Sequence, residues 1–184
     1  MLDLDNLERL RWPKFLSPFL NSSSPWPIGF DDWWQRNKAH LSHLPSDLCE
    51  QWIHRHWLHS EFTFLPLESL NYRRKTWSGS ELLRSIYRWQ GGLLRPEFDY
   101  KTFQRSGGDD RTQTAIALDE GTWDYPMVLL STPHGVIDGG RPLPNVRLVI
   151  VEGHQRHRYL NALHVLGRPP TGPHETIIVS SPIV

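Results

Sequence analysis

The sequence predicts an α/β (α+β) protein, a small mixed sheet with a helical amino-terminal extension. Three observations predict it. Short apolar runs alternate with segments of helical period in the second half of the chain. Gly and Pro clusters separate those runs. The front of the chain instead carries helix-capping signals and a concentration of tryptophan.

The amino-terminal part is expected to form short helices. Asp32 is placed to cap a segment through about Leu41, and Asp47 with Glu50 makes a capping box ahead of Leu48, Trp52, Ile53 and Trp57. Ser22-Ser23-Ser24-Pro25-Trp26-Pro27 has the composition of a linker. Glu61–Leu67 is expected to be a strand, with Pro66 stopping its pairing. A second capping box, Ser78 with Glu81, opens a helix whose buried stripe is Leu82, Leu83, Ile86 and Trp89 and which ends at Gly91-Gly92. Residues 93–124 are turn-rich and acidic and are expected to form an insertion with one strand at Thr112–Leu118. Met127–Leu130 is a short apolar strand, 131–145 a Gly/Pro-rich loop, and Val146–Val151 a second strand. A helix from about His154 to Leu166 and a last strand at Thr176–Val179 follow. The expected organisation is a Trp-rich extension over 1–60 and an α/β domain over 61–184.

Composition narrows the functions. The chain of 184 residues balances 20 Lys and Arg against 20 Asp and Glu, so any polyanion binding must be local. Charge is unevenly spread: residues 61–95 hold six bases and three acids, 96–124 three bases and seven acids, and 125–184 five bases and three acids, so the two basic segments can face one site. No run is apolar and long enough to span a membrane, and the first residues carry acids where a secretion signal has bases, so a cytoplasmic protein is expected. One cysteine, Cys49, excludes an internal disulfide and a Cys-based zinc site. Six of the nine tryptophans lie in the first 57 residues, which favours a dense aromatic core over an exposed face.

The strand-to-helix turn at Glu152–Arg158 is the candidate site. On a helical wheel Tyr159, Leu160, Ala162, Leu163 and Leu166 share an arc, with His157, Asn161, His164 and Arg168 opposite on a solvated face. Arg156 lies on the apolar arc in the first turn, where an unpaired guanidinium would cost several kcal/mol. Two partners are open to it. One is a carboxylate such as Glu152, which would make Arg156 a packing device. The other is an anion held by Arg156 and by the free N–H groups of Gly153, His154 and Gln155. Gly153 would allow close approach of that anion, for which phosphate is the natural choice.

LVIVEGHQRHRYLNAL resembles the strand, Gly-x-x-Arg turn and helix of the ParB/sulfiredoxin superfamily, whose members bind nucleotide phosphates there. FLPLESL followed by SGSELLRSI is similar to the first ParB box, YPMVLL to the intervening strand and ETIIV to the closing strand, so the resemblance covers roughly residues 60–184. Gly153 matches the family glycine and Arg156 its arginine. His154 stands where sulfiredoxins have cysteine, which removes their sulfinic-acid chemistry. Gln155-Arg156 stands where ParB partition proteins have consecutive arginines, and their helix-turn-helix domain has no counterpart in this sequence. Glu152-Gly153-His154 is similar to the acid-Gly-His pattern of the superfamily's free-serine kinases. Size and the Trp-rich front resemble the plasmid fertility-inhibition factors of the oncogenic-suppression type, for which the resemblance implies ATPase and DNase activity and a block of conjugative DNA transfer.

On this reading Glu152, His154 and Arg156 are the expected catalytic residues. Gly153, His154, Gln155, Arg156 and His157 would bind ATP or another nucleotide, with Mg²⁺. Arg73, Arg74 and Lys75, in an expected loop near the nucleotide, and Arg158 would contact phosphate or the DNA backbone without strong sequence preference. Asp138-Gly139-Gly140-Arg141 is expected to cover the site. His43, His54, His56 and His59 lack metal-ligand spacing and are expected to be exposed helix histidines, and the turn Gly107-Gly108-Asp109-Asp110 ranks as an ordinary turn ahead of an ion site. The alternatives are a non-catalytic inhibitor of a conjugation or type IV secretion component, and a small-molecule kinase.

Overall fold

The computed structural model describes residues 1–8, 11–19, 26–90, 92–105 and 112–184. Most of the expected Ser22–Pro27 linker, the Gly107–Asp110 turn and Gly91 therefore lie outside the described residues.

β1 (Leu2–Asp3) leads through a 3₁₀ turn at Lys14–Leu16 to α1 (Phe30–Leu41). The helix starts earlier than expected: Gly29 is the N-cap, and Asp32 lies inside the first turn, where a carboxylate meets the positive end of the helix dipole. α2 (Ser46–Leu48) continues into a π-helical turn at Cys49–His54, closed by the Arg55 N–H on the Glu50 carbonyl at 3.2 Å. No capping box forms here, because Pro45 is the N-cap and the Asp47 carboxylate is taken by the Leu48 N–H and by Arg74.

Glu61–Leu67 is not a strand. It folds as turns leading to a 3₁₀ segment at Leu67–Ser69, and Phe62, Phe64, Leu65 and Leu67 are all buried, a pattern that a two-residue alternation cannot produce. The strand comes next, as β2 (Asn71–Trp77), so Arg73, Arg74 and Lys75 are strand residues and not a loop. The Ser78–Glu81 capping box is present: the Ser78 N–H donates to Glu81 Oε2 at 3.0 Å and the Glu81 N–H to Ser78 Oγ at 3.3 Å. It opens α3 (Gly79–Ser85), which stops at Ile86, because Tyr87 leaves the helix and bridges to Val149.

The segment expected to be an insertion with a strand instead supplies two helices, α4 (Pro96–Arg105) and α5 (Gln113–Asp119). Thr112 caps α5, its hydroxyl accepting from the Ala115 N–H. β3 (Met127–Ser131), β6 (Leu148–Glu152), α6 (His154–Val165) and β7 (His174–Ser180) fall close to the expected positions. The loop between β3 and β6 holds a hairpin, β4 (Val136–Asp138) and β5 (Arg141–Leu143), which pairs with β1 in a small second sheet.

The main sheet has the order β2-β7-β3-β6, with β3 parallel to β7 and the other pairs antiparallel. The fold is thus mixed α+β, and β3 lies between β6 and β7. Alternate residues divide the core between two faces. Val128, Leu130, Val149, Ile177 and Val179 pack with Trp12, Trp33, Trp52 and Ile53 of the amino-terminal segment. Met127, Leu129, Ile150 and Ile178 pack with Leu160 and Leu163 of α6 and with Phe103, Leu118 and Trp123. One continuous core therefore runs across residue 60, and both the extension and the 93–124 segment are layers on the sheet. Among the described residues, no helix is long and apolar enough to cross a membrane.

Candidate functional site

β6 ends at the expected turn. Between Val128 and Leu129 its register with β3 shifts, leaving Val151 as an extra residue that bends the strand just before Glu152. Gly153 then turns the chain with φ +106° into α6. A Cβ there would stand 2.7 Å from Met127 Cγ, so the backbone and Met127 packing already require glycine.

A cleft of about 590 Å³ opens at this turn, lined among others by Arg55, His56, Glu152, Gly153, His154 and Arg158. By helix geometry the first N–H groups of α6 have no intrahelical acceptor, and they lie at this end of the helix. Gln155 and Arg156 also border the cleft. His157 does not: it is buried at 5 % exposure instead of solvated, because α6 is packed by α3 and α4 as well as by the sheet. Leu166, expected on the buried arc, is exposed beyond the end of the helix.

Arg156 is 5 % exposed, and its partners are internal. Nη1 donates to both Glu152 oxygens at 3.2 and 3.0 Å, Nε to Asp124 Oδ1 at 3.2 Å and Nη2 to Gln51 Oε1 at 3.3 Å. Of the two partners open to it from sequence, the carboxylate is the one the geometry supplies, and Asp124 joins as a second. Arg158 is held by Asp99 of α4 through Nε at 3.0 Å and through Nη2.

Burial raises the Glu152 carboxyl above the ordinary carboxylate range, although Arg156 and Arg55 pull it back. His56 Nε2 stands 3.8 Å from Glu152 Oε1, and burial, with Arg55 and His59 nearby, lowers its pKa. Burial also lowers His154, opposed by the Trp89 carbonyl. That carbonyl lies 3.2 Å from His154 Nε2 and can only accept, so Nε2 carries the proton and Nδ1 is the basic nitrogen. The cleft thus joins a partly buried carboxylate and two neutral imidazoles to several guanidinium groups, an arrangement suited to proton transfer beside an anion.

Other expected contributors lie elsewhere. Arg73, Arg74 and Lys75 are on β2, the edge of the sheet opposite β6. Asp138–Arg141 is the tip of the β4–β5 hairpin, held by the Asp5 carboxylate, which accepts from the Gly139 and Gly140 N–H groups at 2.9 and 2.8 Å. It does not line the cleft. His43 and His54 contact the Leu67 and Ile28 carbonyls, and His54 and His56 are only partly exposed.

Sequence reasoning missed Gln51, Arg55 and His56, which the amino-terminal segment brings against Glu152, and Asp124, the second partner of Arg156. The available signal was the i, i+4 pair Gln51 and Arg55, joined at 3.2 Å. Among the described residues, no group of three or more His, Cys, Asp and Glu side chains could hold a metal ion. With Glu152 committed to Arg156, the cleft does not build a protein cage for Mg²⁺. Comparison with known proteins finds no matching family model, curated protein or solved structure.

Proposed function

We propose that this chain cleaves phosphoesters at the Glu152 cleft, as an ATPase and DNase of the ParB/sulfiredoxin-like kind, and acts in the cytoplasm to block conjugative DNA transfer in plasmid fertility inhibition. The observation that carries the reading is the cleft at Gly153, where a partly buried carboxylate of raised pKa, the basic Nδ1 of His154 and the start of α6 meet. Glu152 takes a proton from a water whose oxygen bonds to phosphorus, the P–O bond to the leaving group breaks, and the leaving oxygen is protonated from solvent. The helix start and Arg55 offset the phosphate charge. Arg156 is a positioning residue that holds Glu152.

The test is hydrolysis of labelled ATP with Mg²⁺, and separately of linear DNA, by the wild-type chain and by Glu152→Gln. Loss of about 10²-fold or more in kcat with the variant still folded is expected from removal of a general base. A second reading has its own support: Arg156 spends its guanidinium on internal carboxylates, as a scaffold would. If wild-type protein leaves ATP and DNA intact while still blocking conjugation in cells, the chain is a non-catalytic inhibitor of a type IV secretion component.

A further inference from the structure

Gly79, the first residue of α3, faces two histidines from different elements. A Cβ at Gly79 would lie 2.3 Å from His164 Nε2 and 3.3 Å from His174 Nε2, so the two imidazole nitrogens pack side by side against the bare Gly79 backbone. His164 comes from α6 and His174 from β7. Both Nε2 atoms are buried, and neither has a hydrogen-bond partner in the protein.

The proton on His174 can be placed. Thr122 Oγ1 lies 2.7 Å from the Pro173 carbonyl oxygen, which only accepts, so the single hydroxyl proton points there. The same Oγ1 stands 3.4 Å from His174 Nδ1 and can only accept from it. His174 is therefore the Nδ1–H tautomer, and its Nε2 carries an unshared lone pair near Gly79 and His164. The ring is held by Trp123 at a centroid distance of 4.6 Å, and Trp123 is itself fixed by its Nε1–H on the Glu175 carbonyl at 2.9 Å. A side chain that is 0 % exposed thus holds an unsatisfied acceptor close to a second imidazole, an arrangement costly unless something completes it.

We propose that His164 and His174 form a two-imidazole site for a divalent transition ion of the imidazole-preferring class, Zn²⁺, Ni²⁺ or Cu²⁺, bound through both Nε2 atoms with water completing its coordination. A neutral imidazole whose other nitrogen donates to an oxygen is the usual form of a histidine ligand, and His174 already has it. Burial pushes His174 down to about 4 and lowers His164, so both rings are neutral and free of competing protons near pH 7. Mg²⁺ and Ca²⁺ are excluded because they require oxygen donors. His164 is the more exposed of the two histidines, so its ring is the one nearer to solvent. The site is separate from the Glu152 cleft, since His164 is about 15 Å along α6 from His154 at 1.5 Å per residue. A bound ion would clip α6 to β7 and close the turn between them.

The test is calorimetric titration of the full, chelator-stripped chain with Zn²⁺ alone, with thermal melts alongside. One Zn²⁺ per chain and a raised Tm are expected, with no response to Mg²⁺. His164→Ala, at a partly exposed position, should lower Zn²⁺ affinity ten-fold or more and remove the rise in Tm. Because His174 substitutions disturb the core, His174 is read in the wild-type chain by long-range ¹H–¹⁵N NMR of the imidazoles. Its Nδ1 should be protonated, and its Nε2 resonance should shift on Zn²⁺ addition. No Zn²⁺ binding at millimolar concentration, or binding unchanged in His164→Ala, overturns the proposal.

Discussion

Glu152 and Arg156 close an ion pair across the Gly153 turn, with Arg156 Nη1 facing both carboxylate oxygens at 3.2 and 3.0 Å. The pair joins the last residue of β6 to the first turn of α6. Asp124 and Gln51 extend it to the segment after α5 and to the π-helical turn. Four separate stretches of chain thus meet on one guanidinium.

Arg156→Ala should destabilise the fold by about 3–5 kcal/mol, because it leaves two carboxylates enclosed without their cation. Arg158→Ala should cost less, about 1–3 kcal/mol. Asp99, though only 1 % exposed, would still accept from the Arg95 N–H at 3.0 Å, and one carboxylate loses its cation where Arg156→Ala strips two. Urea denaturation of both variants checks the ranking, and equal losses would remove Arg156 from the centre of this network.

Acid should weaken the fold below about pH 6.5. Burial pushes His157 and His174 down to about 4 and also lowers His56, His154 and His164. Between the folded and unfolded pKa values the unfolded chain binds more protons, so stability is fully present above about 6.5 and is lost as pH falls toward 4. Each such group contributes a slope of about 1.4 kcal/mol per pH unit. Glu152 acts in the opposite sense, since a raised carboxyl removes stability as pH rises through its range. Several histidines outweigh one carboxyl, so the net trend is loss on acidification. His157→Gln should flatten the pH dependence of the urea midpoint, and an unchanged profile would show that His157 is not buried neutral.

The β3, β6, α6 and β7 positions were legible because each is one apolar run or one helical period bounded by Gly or Pro. Arg156 was legible too, since a cation on an apolar arc demands a partner. Its partners were not: Asp124 lies 32 residues away and Gln51 105 residues away in sequence, and no local pattern encodes such pairings. β2 was missed because its residues are exposed at the sheet edge from Asn71 to Thr76, so it lacks an apolar alternation. The helices at Pro96 and Gln113 were masked by the surrounding Gly and Asp. His157 was misplaced because a wheel assumes one buried face, while α6 is packed on several.

Gly153→Ala should destabilise on two counts. The left-handed backbone costs a Cβ-bearing residue about 1–2 kcal/mol, and the added methyl meets Met127 Cγ at 2.7 Å. The contact term can be separated with Met127→Ala. In that background the Gly153→Ala penalty should shrink but not vanish, leaving the backbone part. Equal penalties in both backgrounds would mean that Met127 plays no part in requiring glycine.

The β2 edge gives a prediction about DNA that is independent of catalysis. Residues alternate across a strand, so Arg73 and Lys75 share one side and Arg74 the other. Arg74 is committed to Asp47 at 2.7 Å and Glu175 at 3.1 Å, and Lys75 sits 3.3 Å from the centre of the Trp77 ring. Arg73 is exposed and is the residue best placed to meet a phosphate. β2 and β6 are opposite edges of a four-stranded sheet, so three spacings of about 4.8 Å separate Arg73 from the Glu152 turn. Arg73→Ala should therefore lower DNA affinity and reduce the slope of log K against log salt by about 0.9, the contribution of one neutralised phosphate on duplex DNA. Hydrolysis of free nucleotide should be unchanged, because the cleft is untouched. Arg74→Ala should leave the slope alone, since its charge already serves two carboxylates. Salt titrations of both variants decide the matter: an equal fall in slope for Arg73 and Arg74 would mean the strand acts as a diffuse basic patch, and no fall for either would remove β2 from any DNA contact.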